Sequence, residues 1–275
     1  MARRRWFFYI FYKGAFKSYC EEKKIRYLRK ICNVGANPNI LEGFLYCDEA
    51  DYLWILGDDD ILQKGSVEKI IKILECNNGI DLLFLSVADK NGSVVILNQK
   101  ELMINPSEYG FGLISLVIFR SEFVAPFIRA GYDNLLSCFP HLAILFEAIK
   151  AKKSAKVFSI PRKDFFTFEK IGGKAEPTAY LHSFYGYTLL SNNLEEEPAK
   201  KLLWDWWKMH SVKAIRNADL APIHSTACFA MMKKHIPVRF FLSKFLPRNL
   251  FAILHLPLHK LDRKQIKLFQ FKRDK

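Results

Sequence analysis

The chain has 275 residues, half of them hydrophobic and 15% aromatic, which is enough to bury a sizeable core and excludes a disordered polymer. Its net charge of +14 implies an anionic partner: phosphates, nucleic acid or a membrane face. The six cysteines are scattered without a CxxC pair, which argues against a zinc site or a disulfide framework, and no run reaches the ~20 apolar residues of a membrane span.

Arg3-Arg4-Arg5 followed by Trp6 to Tyr12 imitates a signal peptide. The apolar part is short and bulky, and no small-residue cleavage site follows it. Gly14 to Lys24 reads as the end of a helix and Ile25 to Leu28 as a short strand. After the turn-rich stretch Asn33 to Pro38, Asn39 is expected to cap a helix from Ile40 to about Cys47. Tyr52 to Leu56 is an apolar run of strand length that stops at Gly57-Asp58-Asp59-Asp60.

Ser66 is expected to cap a helix from Val67 to Glu75, with Ile70, Ile71 and Leu74 on one face. Asp81 to Val87 reads as a strand, and Val94 to Leu97 as a returning one after the Asn91-Gly92 turn. Gly112 to Phe119 is a further buried-looking run, and His141 to Ala151 is helical in pattern. Strands alternating with helices predict an α/β domain with a mainly parallel sheet over residues 1–175. Residues 176–275 read as a helical, basic and aromatic C-terminal region, including Leu202 to Ala214 with Trp204, Trp206 and Trp207.

Charge is distributed unevenly. Gly43 to Gln63 contains no Lys or Arg but holds Asp48, Glu49, Asp51, Asp58, Asp59 and Asp60. Three adjacent carboxylates at a strand's carboxyl end sit where open α/β sheets bind ligands. Their oxygens are the donors that Mg2+ and Mn2+ prefer, and a cation there can bridge to a diphosphate. The plain alternative is a solvated acidic turn, although like charges repel and a turn does not need three of them. At the other extreme, Lys233 to Lys275 carries twelve Lys or Arg against Asp262 and Asp274. Interleaved with Phe240 to Leu254, they suit the interface of an anionic bilayer. The other reading of that stretch is a helix packed on the catalytic domain.

The order Asn33-x-Gly35-x-x-x-Asn39, a short helix, then an aromatic strand ending in Asp residues resembles the centre of a family 2 glycosyltransferase. The similarity covers about Ile25 to Leu145, more weakly beyond Gly112, where the family places its acceptor side. It implies a GT-A fold, a nucleotide-sugar donor, a divalent metal at the so-called DXD motif, and a glycan or lipid-linked acceptor of the kind used for surface polysaccharides. It also implies an inverting transfer. The scattered cysteines suit the cytoplasm and the basic tail its membrane face, no nucleic-acid motif is visible, and a sheet lacking strands would expose apolar edges and favour an oligomer. Against the family pattern Leu-Asp-x-Asp-Asp this chain has Leu56-Gly57-Asp58-Asp59-Asp60. Asp59 is then the first-choice metal ligand and Asp60 the second, with Asp58 facing the ribose or diphosphate. Asn33, Gly35 and Asn39 fall on the donor side.

The family often carries a Glu-Asp pair eight to ten residues after a Gly-aromatic-Asp element. Here Gly131-Tyr132-Asp133 precedes Phe139-Pro140-His141, so His141 stands where the family has its base. An imidazole with a pKa of about 6.5 can accept a hydroxyl proton; Asp133 is the alternative, and a helix-start His making local bonds is the plain reading. Family members also place two strand-helix units before the Asn-x-Gly loop, whereas 24 residues precede Ile25 here. Two such units need about 60 residues. The expectation is therefore a domain incomplete at its N-terminus, with weak donor binding on its own. The competing reading is a basic membrane- or nucleic-acid-binding protein without catalysis.

Overall fold

The computed structural model describes residues 34–57, 60–86, 92–102, 112–167 and 179–203, together with 22, 32 and 205. Asn33, Asp58, Asp59, the Ile25 strand, the three tryptophans and the basic tail lie outside the described residues. The chain divides into two compact units: residues 1–172 with 193–198, and residues 173–192 with 199–275. The second unit is described mainly as the helix Ala179–Leu190.

In the first unit a five-stranded sheet is built from β1 (Tyr52–Trp54), β2 (Leu82–Ser86), β3 (Val94–Leu97), β4 (Val117–Arg120) and β5 (Ala155–Pro161). Their order across the sheet is β1-β4-β2-β5-β3. Only β2 and β5 pair in parallel, with Leu82 opposite Val157; β1–β4, β2–β4 and β3–β5 are antiparallel. This corrects the expectation of a mainly parallel sheet. Continuous apolar runs such as Leu82–Ser86, buried at every position, report burial on both faces. They carry no information on strand direction, and β4 lies between β1 and β2 antiparallel to both.

The helices are α1 (Ala36–Phe44), α2 (Ser66–Cys76), α3 (Gln99–Leu102), α4 (Ser121–Val124), α5 (Ile128–Asp133) and α6 (Pro140–Lys152). Side chains alternate across the sheet as strand geometry requires. Tyr52, Trp54, Leu83, Leu85 and Ile118 share a core cluster with Ile70 and Leu74 of α2. On the opposite face Phe119 meets Phe44 of α1 edge-on, with ring centroids 5.2 Å apart.

Two helix starts differ from the sequence expectation. α1 begins at Ala36 behind Gly35, whose φ of +83° is easy only for glycine, so Asn39 is inside the helix and not its cap. Pro38 does not interfere, because the first turn has no intrahelical amide bonds to lose. α2 is preceded by Gly65, and Ser66 instead donates its hydroxyl to the carbonyl of Phe165 at 2.9 Å.

Strands β1, β2 and β5 run in one direction and β3 and β4 in the other. The carboxyl ends of β1, β2 and β5 therefore share one edge of the sheet with the start of β4. Ligands of open α/β sheets bind outside such an edge.

Candidate active site at the carboxyl edge of the sheet

The turn that follows β1 is held by residues far away in sequence. Trp54, 9% exposed, donates its indole N–H to the carbonyl of Ser115 at 2.8 Å. Three residues on, the Gly57 amide donates to Ser115 Oγ at 2.8 Å and to Asp60 Oδ2 at 3.1 Å. Asp60 in turn donates its main-chain N–H to the carbonyl of Gly57 at 3.3 Å. The result is a four-residue turn, closed by its own last residue and pinned at its first to Ser115.

Beyond the turn, residues 61–63 run antiparallel to residues 165–167. Gln63 N donates to Phe165 O at 2.9 Å, Thr167 N donates to Ile61 O at 2.8 Å, and Leu62 and Phe166 form a bridge. The Gln63 amide side chain reaches across to the carbonyls of Lys163 at 2.8 Å and Phe166 at 3.1 Å. Phe166 packs edge-on against Trp54 with ring centroids 6.3 Å apart. Sequence reasoning named neither the anchoring role of Ser115 nor the stretch 163–167. No local signal marks either, since their partners lie about 60 and 100 residues away.

Of the other candidate residues, Gly35 and Asn39 lie at and just inside the start of α1, His141 in the first turn of α6, and Asp133 at the end of α5. Asn37, beside Gly35 and Asn39, donates from Nδ2 to the carbonyl of Leu135 at 2.7 Å and ties the start of α1 to the loop entering α6. The Oδ1 atom of Asn39 is buried and accepts no hydrogen bond among the described residues. His141 is enclosed at 1% exposure in the first turn of α6, its ring 6.3 Å from that of Phe139. Asp133, at the end of α5, is 64% exposed and lies 3.6 Å from Arg129. Asp60 is exposed.

The opposite edge of the sheet has an open cavity of about 460 Å3 lined by Cys47, Asp48, Asp51, Arg120, Ser121 and Glu122. Arg120 and Glu122 form an ion pair there at 2.7 Å. Cys47 is 4% exposed, and burial pushes its thiol up to about 12. A thiol held protonated in this way is not a nucleophile.

Residues 13–136 match the family described as Glycosyl transferase family 2. This segment is a glycosyl transferase family 2 domain. No curated protein matches the chain. The glycosyltransferase match takes in α1, β1, the Gly57–Asp60 turn, Ser115 and Asp133. It ends five residues before His141, and both β5 and the 163–167 stretch lie beyond it. A domain of this family implies a nucleotide-sugar donor and a glycan acceptor in general.

Family members often use divalent metals. Among the described residues no group of three His, Cys, Asp or Glu side chains is placed to hold one. In sequence the turn carries three consecutive carboxylates, donors of the type a hard cation prefers, within a stretch from Gly43 to Gln63 that has no Lys or Arg to compete.

Proposed function

We propose that the chain transfers a sugar from a nucleoside-diphosphate sugar to the hydroxyl of a surface-glycan acceptor, with inversion and with Mg2+ or Mn2+ at the Asp58–Asp60 turn. The observation that carries this reading is the pinned Gly57–Asp60 turn at the carboxyl end of β1, within the family 2 segment. Asp59 is the residue we assign to the cation, and Asp58 to the ribose or diphosphate. Gly35 and Asn39, at the start of α1, line the donor side together with Asn33 of the same loop. A bound cation supplies charge neutralisation for the departing diphosphate.

In the transfer the acceptor oxygen bonds to the anomeric carbon as the bond from that carbon to the phosphate oxygen breaks. The acceptor proton passes to His141. A single displacement of this kind inverts the anomeric centre. An enclosed imidazole is shielded from bulk water, whereas the Asp133 carboxylate is largely solvated beside Arg129. Use of His141 requires the 135–139 loop to admit the acceptor hydroxyl within hydrogen-bond reach.

A thermal-shift screen of UDP-, GDP-, CMP- and dTDP-sugars with and without Mn2+ tests the proposal. One nucleotide class is expected to raise the melting temperature only when Mn2+ is present. No shift with any class would refute a donor site. With the donor known, His141→Ala is expected to lower turnover by ~10²-fold or more while donor binding persists. Turnover within a few-fold of the parent would place the base elsewhere, with Asp133→Asn as the next variant to assay.

A further inference from the structure

We infer that Asp60 and Ser115 are positioning residues that clamp the Gly57 amide from two sides, leaving the cation to Asp59. The inference rests on the reading of this turn as the donor site and goes further by dividing its three carboxylates into one that shapes the turn and two that work in it.

The geometry carries the division. The single amide proton of Gly57 faces Ser115 Oγ at 2.8 Å and Asp60 Oδ2 at 3.1 Å. Asp60 also returns its own N–H to the Gly57 carbonyl at 3.3 Å, so main chain and side chain bind the same residue. A carboxylate that accepts an amide N–H in this i to i+3 arrangement stabilises the turn through a charge-assisted bond. Ser115 supports it from the other side. It is 6% exposed, its carbonyl accepts the Trp54 indole N–H at 2.8 Å, and its hydroxyl accepts from Gly57. The end of β1 and the first residue of the turn thus hang on one serine. Asp58 and Asp59 are the two residues that the clamp encloses in sequence.

A clamp and a ligand respond differently to the same change. The Oδ1 of asparagine accepts an amide N–H as aspartate does, but it lacks the negative charge a hard cation seeks. Asp60→Asn should therefore preserve the clamp, whereas Asp60→Ala should open it. Asp60 is exposed, so neither variant disturbs the core.

Two readouts on the full chain test this. The first is hydrogen exchange of the Gly57 amide, which needs no ligand. Asp60→Ala and Ser115→Ala are each expected to speed it by about fivefold, the equivalent of one ordinary hydrogen bond, and Asp60→Asn to leave it unchanged. The second is Mn2+ binding in the presence of UDP or GDP, followed by loss of the free-ion paramagnetic resonance signal. Asp60→Asn should stay within a few-fold of the parent, and Asp59→Asn should abolish binding.

Gly57 exchange unchanged in both alanine variants overturns the inference. So does an Asp60→Asn variant that loses Mn2+ as completely as Asp59→Asn. A chain that shows the expected exchange pattern but binds no Mn2+ with either nucleotide keeps the clamp and loses the donor-site reading, so the two failures are distinct.

Discussion

Cys47 is buried in the short helix before β1, with its thiol pushed up to about 12 by burial. In the unfolded chain a thiol titrates near ~8.5. Between these values the unfolded chain has released its proton and the folded chain has not, so stability falls as pH rises. Urea denaturation at pH 8 and pH 10 should show wild type losing about 1–2 kcal/mol more than Cys47→Ala over that interval. Equal losses in the two proteins would mean that the thiol is not held protonated. At this scale the sequence was informative about charge and uninformative about enclosure. The acidic island around Asp58–Asp60 and the lack of Lys and Arg near it are visible in the residues themselves. The burial of His141, and the bond between Ser115 and the Gly57 amide 58 positions away, depend on chain segments that only the fold brings together.

At the scale of elements, α5 packs tightly enough that its glycine is needed for space. A Cβ on Gly131 would lie 2.4 Å from Leu41 Cδ2 of α1 and 2.9 Å from Ile144 Cδ1 of α6. Intrinsic propensity alone would make Gly131→Ala more stable, by up to about 1 kcal/mol in a helix interior. The contacts reverse that sign: overpacking of this kind costs ~1–3 kcal/mol, and the urea midpoint should fall without a change in slope. A midpoint that rises would show that α1 and α6 can move apart freely. The elements legible in the sequence include α2, α6 and four of the five strands, because their apolar runs and periodicity come from their own burial; β5 was not among them. Helix starts were displaced where a glycine took the flanking position, at Gly35 and Gly65. Strand direction was not legible, since β4 is as apolar as a parallel strand would be yet runs against both neighbours.

At the scale of the molecule, the family 2 segment covers residues 13–136, while the first compact unit extends through residue 172 and takes in residues 193–198 as well. That return has a physical basis. Gln99, 4% exposed, bonds the carbonyls of Phe146 at 2.8 Å and Asn193 at 3.3 Å and accepts the Glu195 amide at 3.1 Å. The change of composition near Ala175 marked a boundary in the sequence but could not reveal that the chain returns to the first unit 18 residues later.

The proposed transfer requires a cation and a nucleotide diphosphate to bind together at the turn after β1. The most direct test is calorimetric titration of UDP and of GDP into the parent chain and into Asp59→Asn, each with Mn2+ and with a chelator. One of the two nucleotides should bind the parent only with Mn2+ present and should not bind Asp59→Asn, whose fold is intact by circular dichroism. Equal binding by parent and variant, or binding that persists in the chelator, would contradict it.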